Sequence, residues 1–167
     1  LAESDLGKLK TIFWGYNILG FAPFLSAPVE VGQGRALLVG TWFDREVPLP
    51  RGPRQFAFAT GNVREVPSEE TSFRTGLKAV APWWRVQGRW VEDLANEAMM
   101  GSALAGRLGV AVGDRVSLRA DGTARAFQIA GLVRTGGPEE DQIFVDLAAA
   151  QGLLGLPGKV DRVQVSA

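Results

Sequence analysis

Carboxylates are the side chains of this chain best suited to chemistry, because its 167 residues include neither cysteine nor histidine. That composition excludes thiolate nucleophiles, zinc sites built on these residues and catalysis with an imidazole base. One acidic group is the run Glu139-Glu140-Asp141, followed by Asp146. Its oxygens suit Ca²⁺, but the alternating spacing of an EF-hand loop is missing, so a solvated turn before a strand is the favoured interpretation.

A second acidic group, formed by Glu92, Asp93 and Glu97, offers the acid and base of a glycosidase. Carboxylate pairs occur in most soluble proteins, and the sequence does not define the separation of about 5 to 10 Å that this mechanism needs. The glycine-rich pieces Gly32-Gln33-Gly34 and Gly136-Gly137 lack the Lys-Ser/Thr of a P-loop and the context of a dinucleotide fingerprint. We therefore predict a non-catalytic protein without cofactor or metal.

Three tryptophans, Trp83, Trp84 and Trp90, are the candidate contact residues. If Trp83 and Trp84 lie on one strand, they face opposite sides, so we expect one to be exposed, with Trp90 largely buried. Ordinary packing between a sheet and a small neighbouring subdomain is the favoured interpretation. The alternative is an aromatic patch for a partner or a hydrophobic cargo.

The overall composition limits the classes of partner. Eighteen basic residues balance eighteen acidic ones, so no long-range field favours nucleic acid, and none is expected to bind. The hydrophobic fraction of 46% is ordinary for a soluble domain, and no stretch approaches the ~18 to 20 apolar residues of a membrane span. Because the chain starts at Leu1 without a signal-peptide pattern, we expect an excised segment or a mature product.

Apolar spacing predicts the elements of the first half of the chain. A helix is expected from Ala2 to Tyr16, followed by a hairpin over residues 18–43 whose prolines suggest an edge strand. Residues 44–72 are rich in proline, glycine and charge, which predicts a surface excursion with one short strand over 55–59. A third extended run is expected over 77–86.

Turn chemistry predicts the middle of the chain. Ser102 is expected to cap a two-turn helix that ends at a left-handed Gly109, and Gly113-Asp114 to form a turn. Asp121-Gly122 is a strong signal for a two-residue hairpin. On the two strands of that hairpin, Val116 and Leu118 are expected to pack against Phe127 and Ile129.

The last part is predicted to be β-α-β. Residues 142–145 form a buried strand, Asp146 caps a helix that Gly155 ends, and residues 163–165 form a final strand. We find no convincing internal repeat in the sequence.

Several of these blocks follow one another in a characteristic order, which resembles the extracytoplasmic domain of ABC-transporter permeases of the MacB/FtsX type. The blocks are Gly88-Arg89-Trp90, Gly101-Ser102-Ala103-Leu104-Ala105, Leu108-Gly109, Gly113-Asp114-Arg115-Val116 and Ile143-Phe144-Val145. Near the start, Gly20-Phe21-Ala22-Pro23 is similar to the "G-x-A-P" strand of that family.

The resemblance implies an α+β fold in two parts. Residues 1–86, including the excursion over 44–72, and residues 139–167 would form a porter-like mixed α/β subdomain, and residues 87–138 a smaller, mostly β inserted subdomain. The domain would lie on the extracytoplasmic (periplasmic) face of the cell membrane, between transmembrane helices of the same full-length chain. Implied partners are an ABC ATPase subunit, separate or fused, and a second permease subunit or periplasmic protein. Its role would be to couple ATP-driven helix movement to cargo or partner proteins.

One alternative comes from the block over residues 105–116, which also resembles one half of a double-psi β-barrel, as found in substrate-recruiting domains and some enzymes. A second copy of that half would be expected, and the sequence does not provide one. If the chain is instead looped between two membrane helices, we expect Leu1 and Ala167 to lie at the same end of the fold.

Overall fold

The computed structural model describes residues 1–11, 17–49, 54–57, 63–66 and 71–167, with the backbone alone at residue 11 and in 54–57 and 63–66. The fold is mixed α/β with more strand than helix. Two 3₁₀ helices cover Glu3–Thr11 and Pro138–Asp141, and the α-helices are α1 (Leu77–Val80), α2 (Ser102–Leu108) and α3 (Leu147–Leu154). The strands are β1 (Gly20–Val31), β2 (Gly34–Thr41), β3 (Arg45–Pro48), β4 (Arg54–Ala57), β5 (Val63–Val66), β6 (Ser72–Thr75), β7 (Arg85–Gly88), β8 (Glu97–Gly101), β9 (Arg115–Ala120), β10 (Thr123–Arg134), β11 (Gln142–Asp146) and β12 (Arg162–Ser166).

Six strands of the main sheet pair in a closed circuit. The hairpins β1–β2 and β9–β10 are antiparallel, β11 lies parallel to β2, β8 lies parallel to β10, and β8 and β11 pair antiparallel. The circuit closes where β9 meets β1 through two residue pairs, Glu30 with Arg119 and Val31 with Leu118. A sheet that closes on itself in this way is a barrel.

The interior of the barrel is the main hydrophobic core, and all six strands contribute to it. Because side chains alternate along a strand, every second residue points inward. Helices α2 and α3 add Leu104, Ala105, Ala149, Ala150 and Leu153 to the same core. The inward residues of the strands are Val29, Val31, Leu38, Ala98, Met100, Val116, Leu118, Phe127, Ile129, Ile143 and Val145.

The pairing relates the two halves of the barrel by an approximate twofold symmetry. The unit β1–β2 with β8–α2 corresponds to the unit β9–β10 with β11–α3. Each unit begins with an antiparallel hairpin, and the strand before its helix lies parallel to the second hairpin strand of the other unit: β8 to β10, and β11 to β2. Both helices end at a left-handed glycine, Gly109 at φ 68° and Gly155 at φ 66°. The sequence interpretation that no second half exists is therefore wrong for the structure.

Residues outside the barrel pack on its outer surface and form two further hydrophobic cores with it. The segment 77–91 packs over outward residues such as Val39, Met99 and Phe144. The 3₁₀ helix Glu3–Thr11, the strand pair β3–β6 and residues 153–163 build the other core around Phe21 and Trp42. Strands β4 and β5 pair with each other. Within the described ranges, no helix has the length and apolar character needed to cross a bilayer.

Strand β1 is not an edge strand, as its prolines had suggested, because it pairs with β12 as well as with β2. The prolines are tolerated because each lies where β1 has a partner on one side only. Pro23 pairs with Val163 beyond the end of the β2 ladder, and Pro28 pairs with Leu37 between the ends of the β12 and β9 ladders. Proline lacks an N–H group, so both positions avoid an unpaired donor.

Local predictions succeeded where turn chemistry dictated them. The strands predicted over 142–145 and 163–165 are confirmed as β11 and β12, and the Asp146 cap and the hairpin turn at Asp121-Gly122 are confirmed as well. The predicted strand over 77–86 is wrong in its first part, which is helix α1. Ser102 is not the cap of α2 either, since Gly101 takes that position and Ser102 is the first helical residue. In the first helix and in the 55–59 strand, residues 12–16, 58 and 59 lie outside the described residues.

The predicted domain boundaries do not separate two cores, since strands β8–β10 share one sheet with β1, β2 and β11. The chain ends are also apart. The Leu1 carbonyl accepts a hydrogen bond from the Val160 N–H (3.0 Å), whereas Ser166 pairs with Gly20. Strand β12, Arg162–Ser166, lies between these two contacts, so Leu1 and Ala167 lie beside its opposite ends, and the strand itself spans about 16 Å. These contacts do not support the expectation that the chain ends share one end of the fold, which stays a prediction.

Candidate contact surface around Trp83

The segment that carries the tryptophans is attached to the end of β2 through helix α1. The N–H groups of Leu77 and Lys78 donate to the carbonyls of Trp42 and Phe43 (2.7 and 3.1 Å). Gly76 permits this approach because its φ is 143° and a Cβ atom there would lie 2.5 Å from the Phe43 oxygen. After α1, a turn brings the Trp84 N–H to the Ala81 carbonyl (3.2 Å). The turn therefore lies at a position fixed by backbone contacts.

Trp84 and Trp90 form an aromatic stack on the outer face of the barrel. Their ring centroids are 6.3 Å apart and the planes differ by 13°, while Trp84 meets Phe144 of β11 edge-on at 5.0 Å. Both tryptophans are half-buried against the core of segment 77–91. The expectation that Trp90 is largely buried is thus only partly met. The stack therefore packs residues 84–90, which include β7, onto the outer face of the barrel.

Trp83 lies in the turn and is 62% exposed. One member of the adjacent pair is therefore exposed and the other packed, as predicted, although the cause is a turn rather than strand alternation. A large aromatic side chain held on a fixed turn supplies contact area at low cost in conformational entropy. Trp83 is the candidate contact residue that the structure favours among the three.

A second turn, over residues 92–95, is clamped to the same region of β2. The Asp93 carboxylate accepts hydrogen bonds from the N–H groups of Phe43 (2.8 Å) and Asp44 (3.2 Å). Leu94 adopts a left-handed backbone, at φ 67°, and its side chain is 76% exposed. A branched residue is costly in this conformation. Its backbone N–H donates to the carboxylate of Asp146, which gives the conformation a structural reason.

Arg45 connects these acidic groups in a partly buried cluster. Its guanidinium lies 3.2 Å from Asp146, 3.5 Å from Glu3 and 3.9 Å from Asp93. Burial raises the pKa of Asp146, Arg45 opposes that shift, and the nearby Asp93 charge adds to it. Asp146 also caps α3 by accepting from the Ala148 N–H (3.1 Å). The cluster ties the first residues, β3, the 92–95 turn and α3 together.

Glu3 is the other centre of this cluster. Its carboxylate accepts from Trp42 Nε1 (3.1 Å) and from Gln151 Nε2 (3.0 Å), and the Gln151 amide is buried. No sequence pattern points to Glu3 or Arg45, because their partners lie far away in the chain. Only Asp146 was recognisable, from its place before a helix.

The remaining acidic candidates also make structural bonds. Glu97 pairs with Arg89, which lowers the pKa of Glu97 through a side-chain hydrogen bond. The backbone N–H groups of Gly136 and Thr135 donate to Glu140 (3.0 and 2.9 Å) and lower its pKa. Asp141 pairs with Arg107. Within the described part of the chain, no group of three or more acidic side chains is arranged to hold a metal ion.

The glycines and aspartates chosen as structural turns occupy the positions predicted for them. Asp121 and Gly122 have φ values of 46° and 79°, as a two-residue hairpin turn requires, and Gly109 ends α2 in the left-handed region. The Asp114 carboxylate accepts from the Ala111 N–H (2.9 Å). Backbone bonds join Gly113 and Asp114 to Ile129 of β10 (both 2.8 Å), so this turn closes onto the barrel.

Trp83 and Leu94 are the exposed side chains of two turns that are bonded to the end of β2, and the charged groups of the Arg45 cluster behind the second turn are occupied by structural bonds. Such exposed side chains can bind a partner, and the carboxylates of the cluster are poorly suited to act as a free acid and base. Comparison of the chain with models of known protein families and with curated proteins gives no match.

Proposed function

We propose that this chain is a non-catalytic extracytoplasmic domain of an ABC-transporter permease, which couples movement of membrane helices to cargo or partner proteins outside the membrane. The observation that carries the proposal is the ordered series of blocks between Gly88 and Val145. Their residues have fold-defining positions: Gly88 at φ 92° against β10, Gly109 at the end of α2, and Gly113-Asp114 bonded to Ile129.

The acidic side chains support a non-catalytic role. Among the acidic residues singled out in the sequence, Asp93, Glu97, Glu140 and Asp146 each accept hydrogen bonds from named backbone or side-chain donors. A general acid or base needs a site at which it can exchange a proton with substrate. Here the carboxylates are used to fix turns and to cap helix α3.

Two geometrical facts limit the finer form of the proposal. The position of Leu1 and Ala167 beside opposite ends of β12 weighs against chain ends that lie side by side. Strands β8–β10 also belong to the barrel, so the porter-like arrangement is proposed only for the neighbourhood of both chain ends, where β12 pairs with β1. The proposed extracytoplasmic location and the proposed coupling of helix movement to cargo do not require two separate subdomains.

A second candidate is a substrate-recruiting or enzyme domain of double-psi β-barrel type. The closed circuit of six strands, with two halves related by an approximate twofold axis, favours it. The two candidates differ in where the domain lies and in what surrounds it. A test of location therefore separates them.

The test uses the absence of cysteine from the chain. Ser117→Cys places one thiol on an exposed face of β9, whereas Ala98→Cys places it in the fully buried barrel core as a matched control. In intact cells that express the full-length protein, a membrane-impermeant maleimide should label Ser117→Cys and leave Ala98→Cys unlabelled. Labelling of Ser117→Cys only after the membrane is permeabilised would refute an extracytoplasmic location and favour the second candidate.

The role of Trp83 has its own test. Trp83→Ala in the full-length protein should leave folding of the domain intact, because the side chain is mostly exposed, while it reduces recovery of partner proteins after cross-linking in cells. Leu1→Ala, at another exposed apolar residue, is the control. Equal cross-linking for both variants would remove Trp83 from the contact surface.

A further inference from the structure

A groove of about 400 Å³ lies between helix α2 and the pair formed by β7 and β10. The side chains of Arg85, Gln87, Leu132 and Arg134 share the groove face of the sheet by strand alternation, whereas the Val86 side chain packs with the tryptophan stack although Val86 also borders the groove. Six residues define its ends and floor, namely Arg85, Arg134, Ser102, Gly106, Val110 and Leu132.

Two arginines lie directly opposite each other in this groove. Arg85 of β7 is the register partner of Arg134 of β10. Directly opposite residues share one face of a sheet, with Cβ atoms about 5 Å apart, and like charges in such a pair are destabilising. Among the described residues, no side chain forms an ion pair or hydrogen bond with either arginine. The pair therefore concentrates positive charge and up to ten N–H donors in the groove.

One carboxylate lies near the pair, but its acceptors are already used. Glu140 interacts electrostatically with Arg134, while its oxygens accept from Thr135 N (2.9 Å), Gly136 N (3.0 Å) and Ser102 Oγ (3.3 Å). The two guanidinium groups and this carboxylate leave one net positive charge at this end of the groove. That balance suits a ligand with a single negative charge.

The groove changes in character along its length. Gly101 pairs with Val133, so α2 begins beside the Arg134 end, and Val110 follows the far end of α2. Half-buried Leu132 and Val110 form an apolar floor away from the arginines. Gly106 lies between the two ends, and a Cβ atom placed there would meet nothing within 4 Å. The groove is therefore open along its middle.

We propose that this groove binds a small monoanionic organic acid, with its carboxylate between Arg85 and Arg134 and its apolar body along Leu132 and Val110. Guanidinium groups recognise carboxylates through paired, charge-assisted hydrogen bonds, and the apolar floor adds burial of the remainder of the ligand. This site is independent of the proposed function and of the surface around Trp83.

Isothermal titration of the chain with octanoate tests the site. Octanoate should bind. Acetate, which has the carboxylate without the long apolar chain, and octan-1-ol, which has the chain without the carboxylate, should each bind at least about tenfold more weakly. Arg85→Gln and Arg134→Gln should each reduce octanoate affinity about tenfold or more, because each removes a charge-assisted contact. Both residues are exposed, so the variants should melt close to the parent temperature.

Gly106→Leu and Gly152→Leu form a matched pair that tests the position of the ligand. Both glycines lie three residues before the left-handed glycine of their helix, and both have open space at Cβ. Leucine at 106 should abolish octanoate binding by filling the groove, while leucine at 152 should leave it unchanged. Octanoate that does not bind, that binds no better than octan-1-ol, or that binds equally to Gly106→Leu and the parent would overturn the proposal.

Discussion

Gly40 of β2 lies where helix α3 comes closest to the barrel, and its replacement by alanine should strongly destabilise the fold. A Cβ atom at Gly40 would lie 2.3 Å from the Cβ of Ala150. Carbon atoms in contact are normally about 3.5 to 4.0 Å apart, so the two would have to separate by more than about 1 Å. The Leu147 Cα (3.4 Å) and oxygen (3.6 Å) leave little room for the methyl group to move aside.

The size of the effect follows from overpacking in a closed core. An extra methyl group in a packed core lowers the free energy of unfolding by about 1 to 3 kcal/mol. Because the neighbours of Gly40 include backbone atoms of Leu147, which cannot rotate away, we expect Gly40→Ala to cost about 3 kcal/mol. For a domain of this length, that corresponds to a fall in Tm of about 6 to 12 °C. Ala150→Gly alone should cost about 2 kcal/mol, from the glycine in a helix and one lost buried methyl group.

The double variant identifies the cause. If the clash is between these two Cβ atoms, Gly40→Ala with Ala150→Gly should lose about 2 kcal/mol less than the sum of the single variants. Urea denaturation followed by circular dichroism supplies the three free energies of unfolding. Gly152→Ala, in the same helix with open space at Cβ, is the control and should be neutral or slightly stabilising. Additive losses would refute the close approach of α3 to β2.

Three further outcomes are expected. Gly122→Val should lower Tm, because a β-branched residue at φ 79° is strained by about 1 to 2 kcal/mol, and an unchanged Tm would contradict the turn type. The folded pKa of Glu140 is below its ordinary 4.5, so its contribution to stability is present above that pH and is lost as the pH falls through the folded value. Glu140→Gln should therefore flatten the decline of Tm below about pH 4.5, and parallel parent and variant curves would exclude this group. Trp84→Ala should cost roughly 2 to 4 kcal/mol in urea denaturation, whereas Trp83→Ala should cost less than about 0.5 kcal/mol; equal losses would contradict the stack.

Local chemistry made much of the second half predictable. The Asp121-Gly122 turn, Gly109 at the end of α2 and the Asp146 cap depend on residues within a few positions of one another. Such short-range preferences are visible in the sequence itself. The alternation of Val116 and Leu118 likewise predicted their inward direction, which the barrel core confirms.

Long-range pairing was not predictable in the same way. Nothing local to Pro23 or Pro28 indicates that β1 has partners on both sides, since one of those partners, β12, comes from the far end of the chain. The symmetry of the two halves was missed because it lies in strand pairing and helix ends, not in repeated residues. Among the candidate site residues, Trp83 was recognisable as a residue type, but only the turn after α1 accounts for its exposure.

The join between β1 and β9 has a consequence for how the chain reaches its native state. Its two residue pairs, Glu30 with Arg119 and Val31 with Leu118, connect positions separated by 89 and 87 residues, and β12 must cross back to the beginning of β1. Joining such distant segments costs loop-closure entropy before packing compensates for it, so folding of this barrel should be slow, with the ring formed last. The same short ladder should yield first during unfolding, so the amide hydrogens that bond across the β1–β9 join should exchange faster than those that bond across the longer β9–β10 hairpin.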